Sequence, residues 1–228
     1  MKKIAVLVGL GDYYQFTVNG NIKLKFVEQN VKSLMANLVS RGWEVPFPIF
    51  DELATKAHII AKLTEALEQL GEDGHLIFFY SGHAAKLLNS TQARNDEVYF
   101  VTSNPRLTVN PPAPFDTFFN ERDYIDFVKR FKDVAGKGHL ITILDCCFAY
   151  GIVDAILDDT FYHSVLSASS ANASARFREN SFFFSAFSQS WQTDLDSMDT
   201  AIDRVFRRNG WRGNYIIRPA KNFKNYII

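Results

Sequence analysis

Apolar positions along the chain follow two alternating patterns. Short continuous runs of β-branched and aromatic residues predict buried strands, and segments with apolar residues every three or four positions predict the helices between them. The predicted strands are Lys3–Gly9, Trp43–Phe50, His75–Tyr80, His139–Leu144, His163–Ala168 and Asn214–Ile217, with a short extension at Val98–Val101. Pro46 and Pro48 place the second strand at an edge of the sheet or make it irregular.

The helical segments lie between these strands. The first runs from about Leu24 to Gly42, the second begins at Thr55, and Glu121–Val134 is a third. The predicted apolar face of the second helix consists of Ala57, Ile60, Ala61, Leu67 and Leu70. This order predicts an α/β fold, a three-layer sandwich whose central sheet is mostly parallel, has about six strands and is flanked by helices. We expect residues 1–228 to form a single domain.

Composition and charge narrow the class of protein. The 25 lysine and arginine residues equal the 25 aspartate and glutamate residues, so the overall charge makes a nucleic-acid partner unlikely. Residues 201–228 form a basic C-terminal segment, which fits a solvated helix face or a protein-docking surface better than a nucleic-acid interface. No apolar run suits a membrane helix and the first residues show no signal-peptide pattern, so we expect a cytoplasmic protein with no membrane contact.

Two chemically capable side chains each follow one of two central-looking predicted strands, and they would meet if these strands are neighbours in the sheet. His83 comes just after the third strand and Cys147 just after the fourth. Either residue alone is more often structural than catalytic. Because the carboxyl ends of parallel strands share one edge, the two side chains can meet and form a thiol–imidazole pair. Strand alternation directs Cys146 and Cys147 in opposite directions, so only one of them can face the cleft.

The residues around both side chains resemble a known family. The segments FFYSGHA (78–84) and LDCCFAYG (144–151) resemble the two active-site signatures of the caspase-like cysteine proteases, especially bacterial members and metacaspases. VLVGLGDY, ATKAHIIAKL and VLSASSANASA resemble their counterparts in the same order, so that the resemblance extends over about residues 3–190. It implies a caspase-like fold and cysteine endopeptidase activity.

The resemblance also implies the role of individual residues. Cys147 takes the position of the nucleophile and His83 that of the general acid/base, while Cys146 is structural. The oxyanion would be bound by the backbone N–H of Cys147 and that of Ala84 or Gly82. The chain departs from the family where Ala84 replaces the usual glycine, and where the four residues at 148–151 replace a shorter step to glycine.

Substrate preference is less evident from the sequence. Asp12 lies where the fold builds its first specificity pocket and is a candidate for binding a basic side chain, although an ordinary turn residue is the commoner interpretation. Ser169, which follows the fifth strand, is the second candidate for substrate binding. Metacaspases that cleave after basic residues carry acidic residues just after this strand, whereas Ala171 and Asn172 occupy the matching positions here.

We expect neither a metal nor another cofactor. The acidic pair Asp96-Glu97 offers fewer oxygen ligands than a calcium site requires. Two functions remain open: a cysteine endopeptidase that cleaves protein or peptide substrates under the control of a partner or signal, and a non-catalytic caspase-like interaction module. Retention of both His83 and Cys147 favours the endopeptidase, because a scaffold needs neither.

Overall fold

The structure is a computed structural model. It describes residues 1–12, 24–46, 48–87, 97–103, 118–154, 163–169, 175, 181–190, 195–208 and 215–218. Within these ranges the strands are β1 (Lys3–Gly9), β2 (Ile49–Phe50), β3 (His75–Ser81), β4 (Ala84–Leu87), β5 (Glu97–Phe100), β6 (Phe119–Asn120), β7 (Leu140–Asp145), β8 (His163–Ser167) and β9 (Ile216–Arg218). The helices are α1 (Val27–Ser40), α2 (Lys56–Gln69), α3 (Glu121–Val134), α4 (Ala149–Asp154), α5 (Phe182–Ser190) and α6 (Leu195–Arg208).

A six-stranded sheet with the order β2-β1-β3-β7-β8-β9 organises the fold. Five of its strands are parallel, and β9 pairs antiparallel with β8 at the edge. Every residue of β3, β7 and β8 is buried, because helices flank the sheet and its strands have few polar side chains. The α/β prediction with a mostly parallel sheet is confirmed.

The edge strand β2 is shorter than the sequence suggests. The segment predicted as one strand, Trp43–Phe50, pairs with β1 only through an isolated bridge at Glu44 and through Ile49–Phe50. Prolines interrupt the run between these contacts, and proline cannot donate a ladder hydrogen bond. The same two prolines account for the position of β2 at the edge of the sheet.

A second, antiparallel sheet has the order β4-β5-β6. The sequence suggested only a short extension at Val98–Val101, whereas β5 lies between β4 and β6 in a separate sheet. Aromatic side chains join the two sheets: the rings of Tyr80 and Phe100 stack with their centroids 4.1 Å apart. The second sheet thereby fixes the chain that follows β3.

Capping residues define where the central helices begin. Thr55 caps α2 by accepting the N–H of His58, and Asn120 forms a capping box with Asp123 at the start of α3. The predicted apolar face of α2 is wrong in part, since Ala57 and Ala61 are exposed and Ile60 is only partly buried. The buried residues are Ile59, Leu63, Ala66 and Leu67, followed by Leu70 just after the helix.

Three buried histidines lie at the amino ends of neighbouring parallel strands. His75 begins β3, His139 precedes β7 and His163 begins β8. The N–H of His139 donates to Nδ1 of His75 at 2.9 Å, and Nε2 of His139 lies 2.7 Å from the Ser164 hydroxyl. Nε2 of His163 lies 3.0 Å from the Tyr124 hydroxyl. We call His75, His139 and His163 the histidine cluster; it occupies the edge of the sheet opposite Cys147.

Candidate active site

The register of β3 and β7 brings the two predicted catalytic residues to the same edge of the sheet. Ser81 and Asp145 are partners in the parallel ladder between these adjacent strands. His83 and Cys147 each lie two residues beyond this pair. Since neighbouring strands run about 4.8 Å apart, the two residues leave the sheet side by side.

Backbone contacts hold His83 at the exit of β3. The hydroxyl of the fully buried Tyr80 donates to the His83 carbonyl at 2.7 Å, with the Val101 carbonyl also within 3.0 Å. Val101 in turn donates its N–H to the His83 carbonyl at 2.9 Å. The His83 side chain is partly buried, and this burial lowers the pKa of the imidazole from its ordinary value. The neutral ring, which can accept a thiol proton, is therefore favoured at neutral pH.

Cys147 lies in the turn that joins β7 to α4. Its side chain is partly exposed, whereas Cys146 is buried with 1% of its surface accessible. The two cysteines thus differ in burial, but both follow the last residue of β7, so the strand alternation on which the prediction relied does not apply to them. Burial also raises the pKa of the Cys146 thiol far above its ordinary value, so Cys146 is a poor source of thiolate. Phe148 follows with a φ of 52°, a left-handed conformation that is unusual for a bulky residue.

Ser169, two residues after β8, forms hydrogen bonds with this turn. Its hydroxyl accepts the N–H of Ala149 at 3.0 Å and donates to the carbonyl of Cys146 at 2.9 Å. Its carbonyl accepts the N–H of Tyr150 at 3.2 Å. Ser169 is fully buried, so these contacts act on the conformation of the residues that flank Cys147. Its predicted contact with substrate stays a prediction.

The two alternative oxyanion donors differ in their surroundings. The N–H of Gly82 donates to the Asp145 carbonyl at 3.3 Å. Ala84 pairs with Phe100 in the β4–β5 ladder, next to the bond between Val101 and His83. Because antiparallel pairs alternate between hydrogen-bonded and non-hydrogen-bonded, the N–H of Ala84 faces away from β5. The geometry therefore favours Ala84 over Gly82 as the second donor, beside Cys147.

Asp12 lies at the same edge of the sheet, in the loop after β1. One oxygen of the Asp51 carboxylate accepts the backbone N–H groups of Gly11 and Asp12, each at 2.8 Å. Gly11 is required there, since a Cβ atom would lie 2.8 Å from the Leu24 carbonyl oxygen. Asp51 itself adopts a left-handed backbone with a φ of 41°. The contribution of Asp51 to placing Asp12 was not evident from the sequence.

Asp145 is a second residue that the sequence reasoning did not single out. Its carboxylate is 5% exposed and receives hydrogen bonds from the hydroxyls of Ser81, at 3.1 Å, and Ser181, at 2.5 Å. A charged residue at the end of a mostly apolar strand was visible in the sequence. The contact with Ser181, 36 residues later in the chain, was not. Ala171 and Asn172 lie outside the described residues.

Within the described ranges, no helix is long and apolar enough to cross a membrane. A family model described as "Caspase domain" matches residues 2–209. The crystal structure of the protein GSU0716 from Geobacter sulfurreducens has the same fold, with a TM-score of 0.72 and 16% sequence identity over 99% of this chain and 97% of that one. No curated protein sequence matches this chain significantly. The match over most of the sequence, together with the sheet and its paired strand ends, shows that the chain belongs to the caspase domain family.

Proposed function

We propose that this protein is a cysteine endopeptidase in which Cys147 is the nucleophile and His83 the general acid/base. The observation that carries the proposal is the register of Ser81 with Asp145, because His83 and Cys147 each follow this pair by two residues at the ends of adjacent strands. Membership of a cysteine peptidase family supports the reaction class. A thiol needs only one nearby base to form its thiolate, so these two side chains are sufficient for the chemistry.

The reaction follows from the two side chains. His83 accepts the Cys147 thiol proton, and the thiolate attacks the carbonyl carbon of the scissile peptide bond. His83 then returns the proton to the leaving amine, which produces a thioester between Cys147 and the acyl half of the substrate. A water molecule, deprotonated by His83, hydrolyses this thioester and restores the free thiol.

The developing oxyanion needs donors that are already oriented. The backbone N–H groups of Cys147 and Ala84 are our choice, because Cys147 lies in a turn and the N–H of Ala84 faces away from β5. Alanine donates the same N–H as the glycine that the family usually has. The Ala84 side chain is 8% exposed, so its methyl group is packed rather than directed into open solvent.

Substrate preference is the finer part of the proposal. Asp12 lies at the carboxyl edge that carries His83 and Cys147, and Asp51 fixes its backbone. A carboxylate at this edge would attract a basic side chain of the substrate. We therefore propose cleavage after arginine or lysine in protein or peptide substrates.

Control of the activity is proposed to act through loops or an activating protein partner. The segments that we propose for this control are residues 103–119 and 169–181, both of which lie mostly outside the described residues. The connection Phe148–Tyr162 contains no lysine or arginine, so an enzyme with basic preference cannot cut itself there. Its described part includes α4, in which Ile152 and Val153 are buried. The active form is thus proposed to be a single uncut chain.

The second candidate is a non-catalytic interaction module with the same fold. An interaction module does not need a reactive thiol at Cys147, so the reactivity of Cys147 distinguishes the two functions. Labelling by iodoacetamide at neutral pH, located by peptide mass mapping, is expected at Cys147 in the wild type and in Cys146→Ala. The rate should fall in His83→Ala while the thermal transition persists, and Cys147→Ala should lose peptide cleavage. Cys147 labelling at the rate of a free thiol, with no dependence on His83, would favour the module.

A further inference from the structure

One serine outside the proposed dyad forms hydrogen bonds with the two peptide groups that flank Cys147 and Phe148. The Ser169 hydroxyl donates to the Cys146 carbonyl at 2.9 Å and accepts the N–H of Ala149 at 3.0 Å. All three of these residues are buried. Removal of the hydroxyl therefore leaves a buried donor and a buried acceptor of the chain without their partner. We call Cys146–Ala149 the nucleophile turn.

The bond to the Cys146 carbonyl also orients the first oxyanion donor. The Cys146 carbonyl and the Cys147 N–H belong to one planar, trans peptide group, so they point in opposite directions. Since the Ser169 hydroxyl binds the carbonyl, the Cys147 N–H is directed away from Ser169. One buried hydrogen bond thus sets the direction of a donor on the opposite side of the peptide group.

The second bond fixes the peptide group between Phe148 and Ala149. Ser169 accepts the N–H of this group, and the Phe148 carbonyl accepts the N–H of Gly151 at 2.9 Å. The Ser169 carbonyl also accepts the N–H of Tyr150 at 3.2 Å. The chain therefore enters α4 in an orientation that Ser169 determines at two points.

Phe148 has a strained backbone between these two fixed peptide groups. Its φ of 52° lies in the left-handed region, which residues other than glycine disfavour by roughly 5- to 30-fold. Its side chain is partly buried against the hydrophobic core. Such a conformation persists where the surrounding contacts enforce it, and Ser169 provides contacts on both sides. The strain next to the nucleophile thus depends on a buried hydroxyl.

We propose that Ser169 is a positioning residue, which orients the Cys147 N–H for the oxyanion and holds Phe148 in its left-handed conformation. This inference rests on the proposed function. Without the hydroxyl, Phe148 relaxes towards the ordinary right-handed region and rotates the chain at Cys147. The thiol then lies less well beside His83 and the oxyanion donor changes direction. The chemical step slows, with little change in substrate binding.

The test compares Ser169→Ala, Phe148→Gly and Phe148→Ala with the two double variants that combine Ser169→Ala with each Phe148 substitution. A Cys146→Ala background leaves one thiol in the chain. Ser188→Ala is the matched control, because its hydroxyl donates to the Ser185 carbonyl on the exposed side of α5.

Two rates are measured on each variant. The first is alkylation of the remaining thiol by iodoacetamide, which needs no substrate pocket. The second is turnover of a reporter peptide that the wild type cleaves, from which kcat and KM are obtained. Circular dichroism and thermal melting verify that each variant is folded.

Ser169→Ala should lower kcat by about 10- to 100-fold and alkylation by about 10-fold, while KM stays near the wild-type value. Adding Phe148→Gly should restore alkylation, because glycine keeps a left-handed backbone without the serine. Adding Phe148→Ala removes the same ring but should not restore alkylation, since alanine disfavours that backbone. The recovery of kcat with glycine should be partial, because the Cys146 carbonyl still lacks its donor.

The single Phe148 variants keep the test decisive if Ser169→Ala does not fold. With Ser169 present, Phe148→Gly should melt at a higher temperature than Phe148→Ala and be alkylated faster, because only alanine is strained by a left-handed backbone. The reverse order would refute the strain at Phe148 and the inference with it.

Three other results would overturn the inference: a folded Ser169→Ala variant with wild-type alkylation and kcat, equal alkylation of the two double variants, and a raised KM with an unchanged kcat. The last of these would make Ser169 a substrate-binding residue. Failure of the proposed function is distinguishable, because alkylation of the wild type would then not depend on His83. Dependence on His83 without dependence on Ser169 would refute this inference alone.

Discussion

Acidification should destabilise the protein through the histidine cluster. Burial lowers the pKa of His75 to about 4 and that of His139 to about 3. Lys3 and the amino terminus lower the pKa of His75 further and Asp73 opposes them, while His75 and His163 add to the effect at His139. Because the unfolded chain takes up these protons near pH 6.5, the stabilisation is complete above that pH and is lost as the pH falls towards 4.

The expected magnitude follows from proton linkage. Between pH 6 and pH 5, protonation of the unfolded chain should lower the unfolding free energy by about 1 kcal/mol for each of the two histidines, or about 2 kcal/mol together. Asp145 acts in the opposite direction, because a folded-state pKa of about 6 makes the native state bind its proton first. It offsets about 1 kcal/mol of this loss over the same interval, which leaves a net loss of about 1 kcal/mol.

Urea unfolding at pH 8, 7, 6 and 5 and constant ionic strength measures this loss. His75→Asn keeps an acceptor for the His139 N–H, since an amide oxygen takes the position of Nδ1. The loss between pH 6 and pH 5 should largely disappear in His75→Asn, whereas in Asp145→Asn it should grow to about 2 kcal/mol. Subtracting the unfolding free energy of each variant at pH 8 removes the effect of the substitution that does not depend on pH. If His75→Asn retains the full wild-type loss, the reasoning is refuted.

Three further substitutions and one mass measurement test the site. Tyr80→Phe removes the hydroxyl that holds the His83 carbonyl, so it should cost about 1 kcal/mol in urea unfolding and lower kcat; unchanged kinetics would show that the contact is dispensable. Ser169→Ala leaves the Ala149 N–H without its acceptor, so we expect a loss of about 1–3 kcal/mol and slower Cys147 alkylation, with Ser188→Ala as the control. Asp12→Asn should reduce the preference for arginine over neutral reporter peptides, and a wild-type preference for aspartate would contradict the assignment. Intact mass analysis during turnover should show an uncut chain, and a required cut within residues 148–162 would exclude the single-chain form.

The elements that were predicted well are those whose own residues show a clear hydrophobic pattern. The bounds of β1, Lys3–Gly9, are those expected from the sequence, because a continuous apolar run suits a strand covered on both faces. The buried face of α2 was harder to predict. Ile59 and Ile60 are adjacent, so the period of three to four fits two faces, and the small alanines did not discriminate between them. Packing against the rest of the fold buries Ile59 instead.

The elements that were missed depend on distant partners. β4 and β6 are four and two residues long, and both are held by β5, so no local pattern identifies them. The predicted positions of His83 and Cys147 needed only the order of two strands. The serines around Asp145 could not be found in this way, since Ser81 and Ser181 are 100 residues apart in the sequence. Side-chain networks of this kind are fixed by tertiary structure.

Both edges of the sheet require their titratable groups to be deprotonated. At the amino edge, His75 and His139 stabilise the fold when they are neutral, which favours a pH above about 6.5. At the carboxyl edge, His83 must be neutral to accept the thiol proton, and Asp145 must be ionised to accept hydrogen bonds from both serines. In the folded protein His75 and His139 stay neutral down to about pH 4, because their pKa values are lowered to about 4 and about 3, whereas the Asp145 carboxyl group, with a pKa of about 6, takes up its proton near that pH. Loss of Cys147 reactivity on acidification can thus precede unfolding, because a change confined to the carboxyl edge leaves the histidine cluster intact.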